Sequence, residues 1–189
     1  MIALDKKDRS RQDRVWVDGQ DYLIHTAFWR WIAFGKKFEQ MQREGVEEFS
    51  LFELDHYYKE ITVNGKKYGV PENRFAGYEE LCKFYHNDQP LPRPTNKSNV
   101  RGVDWLIDSE YIYCAFLQQY KIDLVTTDLH WHSFLSLFNG LTETKLNDIM
   151  SARYYTKPTK AKKEPMEEAR DAWKLETLEV FKKKPFVMR

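Results

Sequence analysis

Residues 104–138 constrain the fold most, because nowhere else in the chain do so many large apolar side chains recur at helical spacing. On a helical wheel that turns ~100° per residue, one stripe carries Trp105, Ile112, Phe116 and Tyr120, and two further apolar stripes lie beside it. A helix that is apolar on several faces has to be covered on several faces. We therefore predict that this stretch forms the buried centre of a helical domain.

The same stretch is predicted to contain two helices joined by a turn. Thr127 is a suitable N-cap for the second helix, and Asp128 would face the positive end of its dipole. Asn139 and Gly140 supply a stop signal after Phe138. The predicted core residues are Trp105, Ile112, Phe116, Leu117, Leu129, Phe134 and Leu137.

Two short segments, VWVDGQDYLI and ITVNGKKYGV, alternate apolar and polar residues around a central turn pair. The pairs Asp18-Gly19 and Asn64-Gly65 are typical of two-residue hairpin turns. Two ribbons of this length cannot support a β domain by themselves. We predict that they decorate a helical body.

Four more helices are predicted from caps and apolar spacing. They run from Thr26 to about Arg43, from Phe75 to about His86, from a Thr142 cap through Tyr154, and from Pro165 to about Lys182. The predicted fold is mainly α: a small helical bundle with one or two short β-hairpins and a C-terminal helical arm. The predicted organisation is a loose segment at residues 1–14, a helical domain at 15–156, and a linker with the last helix at 157–189.

Composition supports a globular, intracellular protein. Of 189 residues 42% are hydrophobic, which is enough for a core. The longest apolar run has seven residues, whereas a membrane-spanning helix needs ~20, and the first fourteen residues are too charged for a secretory leader. Cys82 and Cys114 lack CxxC spacing and are predicted to be buried, reduced thiols.

Signals for catalysis or metal binding are sparse. On a helix, His130 and His132 would lie roughly 200° apart, so they could not bind one ion together. We expect Trp131 and Phe134 to face inward and His130 or His132 to cap the helix or be solvated. The sequence contains no phosphate-binding loop or nucleophile motif, and we predict no cofactor and no enzymatic activity. An enzyme remains an alternative, since distant residues can assemble a catalytic site without a local signature.

The last predicted helix carries the candidate partner-binding residues. Met166, Ala169 and Trp173 share one stripe, and the helix either folds back onto the bundle or docks onto a partner or sister subunit. Residues 157–189 carry a net charge of +4, and residues 1–156 carry a net charge of −3. The basic excess of the C-terminal segment is too small to indicate a nucleic-acid-binding face. The predicted partner-binding residues are Trp173, Leu175, Leu178 and Phe181.

Several motifs resemble the bacteriophage gene-product-fifteen family. The family has an aromatic-rich FLQxYxIDL stretch, then LHWxxF, a leucine pair and a late arginine. Its glycine hairpin followed by a threonine-capped helix resembles residues 18–34. The NGKKYGVP segment and the helix after Pro165 depart from the family pattern. The matching positions are residues 116–124, residues 129–134, Leu137 with Leu141, and Arg153.

The resemblance implies a siphophage or prophage tail-module protein of the tail-assembly-chaperone type. Such a protein would bind the tape-measure protein, and possible further contacts are other tail proteins or a second copy of itself. It would act in the host bacterial cytoplasm and would need no active site. The alternatives are a structural tail or connector subunit retained in the virion, and a small phage enzyme or host-interaction factor.

Overall fold

The computed structural model describes residues 13–44, 53–87, 101–155 and 165–174. Within these ranges the chain forms six α-helices, two antiparallel hairpins and a short 3-10 helix at Leu54–His56. This confirms a mainly α fold with short hairpins. In this part of the chain no helix is both long and apolar enough to cross a membrane. The strands are β1 (Arg14–Val17), β2 (Gln20–Leu23), β3 (Ile61–Val63) and β4 (Lys66–Tyr68), and the helices are α1 (Phe28–Glu44), α2 (Arg74–Tyr85), α3 (Ser109–Tyr120), α4 (Trp131–Asn139), α5 (Lys145–Tyr154) and α6 (Pro165–Trp173).

The chain divides into two compact units. Unit 1 consists of residues 1–93 and 128–135, and unit 2 of residues 94–127 and 136–189. The domain boundary predicted near residue 156 lies outside the described residues, as do residues 1–12 of the predicted loose segment. Arg14, the last residue of that segment, already belongs to β1. The three-part organisation otherwise stays a prediction.

Both predicted hairpins are present, with the turns at the predicted positions. β1 pairs with β2, and β3 pairs with β4, each pair antiparallel. Asp18 and Gly19 have φ values of 46° and 81°, and Asn64 and Gly65 have φ values of 50° and 76°. Consecutive positive φ values define the type I′ turn, whose twist matches that of the flanking strands.

Aromatic side chains fill the core of unit 1. Trp31 of α1 is fully buried, and the ring of Phe84 lies 4.5 Å from it between centroids. Phe34 and Tyr57 contact the same indole at 5.3 Å and 5.5 Å. The indole Nε1 of Trp31 donates to the carbonyl of His25 at 2.9 Å, so the one polar atom of the ring is satisfied.

Helix α4 begins at Trp131, later than the predicted Asp128. The residues just before it pair with the start of α1: the amide of Phe28 donates to the Leu129 carbonyl at 2.9 Å, and the amide of Trp131 donates to the Thr26 carbonyl at 2.7 Å. The predicted cap at Thr127 is therefore wrong, because pairing with a segment about a hundred residues away in sequence holds residues 129–130 in an extended conformation.

In unit 2, α3 buries only one face. Ile112, Ala115 and Phe116 are buried, whereas Leu117 is 41% exposed. The prediction that this stretch is covered on several faces is therefore wrong, and Cys114, predicted to be buried, is exposed. Among the predicted core residues Ile112, Phe116 and Phe134 are buried, Trp105, Leu129 and Leu137 are half-buried, and Leu117 is exposed.

Helix α5 is capped by Thr144, not by the predicted Thr142. The hydroxyl of Thr144 accepts from the amide of Asn147, and the Asn147 side chain accepts from the amide of Thr144, which forms a reciprocal capping box. Leu146 and Ile149 then fall on the buried face of the helix. The same buried face carries Arg153 near the end of α5.

Candidate functional site

Arg153 of α5 forms a buried ion pair with Asp108, the residue that precedes α3. The guanidinium donates Nη1 to Oδ2 at 2.6 Å and Nη2 to Oδ1 at 2.7 Å, so both carboxylate oxygens are engaged. The two residues are only 3% and 1% exposed. Bidentate geometry of this kind gives strong, direction-specific hydrogen bonds.

The guanidinium also binds two backbone carbonyls. Nη1 donates to the carbonyl of Gly102 at 2.8 Å, and Nε donates to the carbonyl of Trp173 at 2.7 Å. Asp108 Oδ2 accepts a further hydrogen bond from the amide of Asp104 at 2.8 Å. Arg153 therefore connects three segments of unit 2: the turn before α3, helix α5 and the end of α6.

Asp104 fixes the turn before α3. Its Oδ1 accepts from the amides of Leu106 at 2.9 Å and Ile107 at 3.0 Å, and its Oδ2 lies 3.1 Å from Nη2 of Arg101. Burial alone would raise the pKa of Asp104, but the two amide hydrogen bonds and the Arg101 cation outweigh it, so the pKa lies below its usual value. The ionised carboxylate therefore stabilises this turn at neutral pH through these hydrogen bonds.

The turn presents two adjacent aliphatic side chains to solvent. Leu106 is 62% exposed and Ile107 is 64% exposed, although their backbone amides are bound by Asp104. We call Leu106 and Ile107 the exposed pair. Backbone that is already hydrogen-bonded loses less conformational entropy when a partner covers its side chains, which favours binding.

Of the four predicted partner-binding residues, the structure describes only Trp173. Leu175, Leu178 and Phe181 lie outside the described residues. The ring of Trp173 packs edge-on against Tyr111 of α3, with centroids 5.4 Å apart, and is half-buried. The helix that carries it packs against α5. A role of Trp173 in partner binding stays a prediction.

The two histidines of the HWH stretch lie in unit 1 and have different roles. His130 precedes α4, and its Nδ1 accepts from the amide of His132 at 3.1 Å, so it caps the helix as predicted. His132 is buried, with Nε2 2.8 Å from the carbonyl of Phe84. Trp131 and Phe134 face inward, as predicted.

His130 and His132 do not lie on different faces of one helix, as we had expected, because His130 precedes α4 and the two rings are 5.2 Å apart. In the described ranges no group of three or more His, Cys, Asp or Glu residues is arranged to hold a metal ion.

The Asp108–Arg153 pair is the feature that sequence reasoning missed. Nothing in the caps or the apolar spacing singled out Asp108, which the structure buries. The partners are 45 residues apart in sequence, so no local pattern connects them. The only signal was the late arginine of the family motif, which marked Arg153 without naming its partner.

A family model described as Bacteriophage Gp15 protein matches residues 12–176. The chain belongs to the bacteriophage Gp15 family. The match includes the second hairpin and all of α6, both of which the sequence motifs had left outside the family pattern. It therefore extends over Asp108, Arg153 and Trp173 of this Gp15-family protein. Comparison with curated proteins and with solved structures gave no match.

Proposed function

We propose that this Gp15-family protein is a phage tail morphogenesis factor, a tail assembly chaperone that binds the tape-measure protein while the tail is built. Membership of the family carries the proposal, since it makes this a bacteriophage protein. The role would place it in the cytoplasm of the host bacterium, where it would contact the tape-measure protein, other tail proteins and a second copy of itself.

The surface of unit 2 supports a binding role. An assembly chaperone has to shield the apolar face of a long helical client, and it needs accessible apolar side chains on a stable body to do so. The exposed pair is such a feature, because Asp104 fixes its backbone while both side chains face solvent. By contrast, the Asp108–Arg153 pair is too buried to contact a substrate.

The proposal is tested by following the protein through infection. Cells infected with the parent phage are separated into lysate and purified particles, and the protein is quantified in both by mass spectrometry, with the major tail protein as the control for particle recovery. An assembly chaperone is abundant in lysate, absent from particles, and captured together with the tape-measure protein.

A structural tail or connector subunit is the second candidate. The exposed pair favours it too, since exposed apolar side chains would be covered permanently in an assembled particle. Recovery of the protein in purified particles at a fixed ratio to the major tail protein would replace the chaperone proposal with this one. An enzyme or host-interaction factor would be indicated by capture of a host protein instead of tail proteins.

A further inference from the structure

Helix α3 has a row of exposed residues along its outer side. The row consists of Glu110, Cys114, Leu117 and Lys121, the residue that ends the helix. The residues are spaced four, three and four positions apart, which is the spacing of the a and d positions of a coiled coil. We call these four residues the α3 seam, because a row of this kind is where two helices pair.

The outer side of α3 carries little charge for a surface helix. Such a helix normally has charged and polar residues on the side opposite the core. Glu110 is the only charged residue among the twelve of α3, and the centre of the seam is Cys114 with Leu117. A single exposed leucine is ordinary on a protein surface, so the arrangement of charge along the seam decides what covers it.

The seam carries opposite charges at its two ends. Glu110 lies in the first turn of α3, and Lys121 caps its C-terminal end. In the described part of the chain neither side chain belongs to an ion pair, and the Nζ of Lys121 donates to the carbonyl of Gln118 at 3.0 Å. Both charges can therefore meet an opposite charge on a partner.

An antiparallel copy of the same seam complements it at every position. In a two-fold pair, residue i contacts residue j of the partner, and j contacts i. With the centres of two seams aligned antiparallel, Glu110 faces Lys121 of the second copy. In the middle, Cys114 faces Leu117 of the second copy. A parallel pair would instead bring Glu110 against Glu110 and Lys121 against Lys121, which is unfavourable.

We propose that the α3 seam is a dimer interface, and that its occupant is the same seam of a second copy in antiparallel orientation. The contact joins one helix from each copy, so it belongs to the small class of interfaces that form weak, reversible complexes. The exposed pair precedes Ser109, the first residue of α3, and therefore lies beyond the end of the paired stretch.

Charge reversal in the full-length protein tests the orientation. Glu110→Lys places a lysine opposite Lys121 of the second copy and should weaken dimerisation by about tenfold in sedimentation equilibrium. Adding Lys121→Glu restores opposite charges across the interface and should return dimerisation to near the parent level. Within one copy both changes oppose the dipole of α3, so their effects on the melting temperature should add. Recovery of dimerisation without recovery of stability therefore reports the contact between copies.

Crosslinking through Cys114 tests the position of the interface. This thiol lies near the two-fold axis of the proposed dimer, so a short bismaleimide should join two copies covalently. Cys114→Ser should abolish the product. Cys82→Ser should not, because Cys82 is half-buried and burial raises the pKa of its thiol. Glu110→Lys should lose most of the product although Cys114 is unchanged, and equal product in parent and variant would mean chance collision and overturn the proposal.

A variant at the centre of the seam gives an independent measurement. Leu117→Gln keeps a good helix former but removes the apolar contact, and it should weaken dimerisation without changing the melting temperature by much. Val63→Ser, which changes an exposed aliphatic residue of unit 1, should dimerise like the parent. A parent protein that is monomeric at high micromolar concentration would overturn the proposal. So would a double charge variant that dimerises no better than Glu110→Lys.

The inference goes beyond the proposed function, which includes contact with a second copy but assigns no surface to it. Self-association through the seam needs no tail protein, so the two proposals fail separately. Dimerisation without any capture of the tape-measure protein in infected cells would leave the interface and remove the chaperone function. Capture of the tape-measure protein by a protein that stays monomeric would leave the function and remove the interface.

Discussion

Arg153 and Asp108 carry opposite charges in a part of unit 2 from which water is nearly excluded. A buried ion pair of this kind does not by itself make a protein more stable than an apolar pair would, because both ions lose their hydration. Its loss is nevertheless costly, since the remaining partner is an unpaired buried charge. Here Asp108 also holds the amide of Asp104, so its position affects the turn that carries the exposed pair.

Replacing Arg153 with Met should therefore destabilise the protein by ~3–5 kcal/mol in urea unfolding. The matched control is Arg14→Met, whose ion pair with Asp21 is 3.5 Å long and about half exposed, and which should cost less than ~1 kcal/mol. Combining Arg153→Met with Asp108→Leu removes both charges and should recover part of the loss. Equal effects of the Arg153 and Arg14 variants would show that the buried pair is unimportant for stability.

Ionisation of Tyr57 should make the stability of the protein depend on pH in the alkaline range. Burial raises its pKa to about 12, Arg30 opposes the rise, and Glu53 adds to it. In the unfolded chain the phenol ionises near pH ~10, so the contribution of Tyr57 is complete below that pH and is lost as the pH rises to about 12. The urea midpoint should fall across this interval.

Tyr57→Phe serves as the control for this titration, because it keeps the ring but cannot ionise. Its alkaline decline should be shallower than that of the parent protein. The decline should not vanish, since burial also raises the pKa values of Tyr58 and Tyr78. Identical curves for parent and variant would exclude Tyr57 as a source of the pH dependence.

At the scale of single elements, the sequence predicts best where the structure is determined locally. Both hairpins follow from a dipeptide that tolerates positive φ, and their turns lie where Asp18-Gly19 and Asn64-Gly65 place them. The start of α4 could not be predicted in this way. Its first turn is displaced because His130 pairs with Ala27, a contact that neither segment encodes alone.

Helix α3 shows the limit of apolar periodicity. Its apolar residues surround the helix, but the neighbouring elements cover only the side that carries Ile112, Ala115 and Phe116. The wheel identifies candidates for burial, and the number of packing partners decides which of them are buried.

Adjacent residues on α3 provide a direct test of this one-sided packing. Phe116→Ala should destabilise by ~3–5 kcal/mol, because it leaves a cavity where a fully buried ring had packed. Leu117→Ala should cost less than about 1 kcal/mol, because that side chain is 41% exposed. An unchanged melting curve for Phe116→Ala, or equal losses for both variants, would contradict the placement of α3.

The cap of α5 can be tested with two threonines that lie close together. Thr144→Ala removes the hydroxyl that accepts from the amide of Asn147 and should cost ~1 kcal/mol. Thr142→Ala changes an exposed residue that was the predicted cap, and its effect should be within ~0.5 kcal/mol of zero. Urea midpoints distinguish the two, and the reverse order would restore the sequence-based assignment.

For the whole molecule, the family motifs predicted more about the identity of the protein than helical spacing and caps did. Spacing and caps gave the fold class, and the family motifs gave the family, which the match over residues 12–176 then showed. Neither gave the arrangement around Arg153, because it joins residues 102, 108, 153 and 173 through contacts that form only after folding. A single sequence carries no direct record of such pairings.

The exposed pair links the structure of unit 2 to the proposed function of the whole protein. If it contacts the client, Leu106→Ser combined with Ile107→Ser should reduce the soluble yield of co-expressed tape-measure protein severalfold while leaving the melting temperature of the variant unchanged. Stability should be retained because both side chains are more than 60% exposed and their amides still bind Asp104. Val63→Ser is the matched control, since Val63 is an exposed aliphatic residue of unit 1. A variant that keeps the client soluble as well as the parent would exclude the exposed pair from client binding. A lowered melting temperature would show that the pair contributes to folding stability, and the loss of client could then not be assigned to binding.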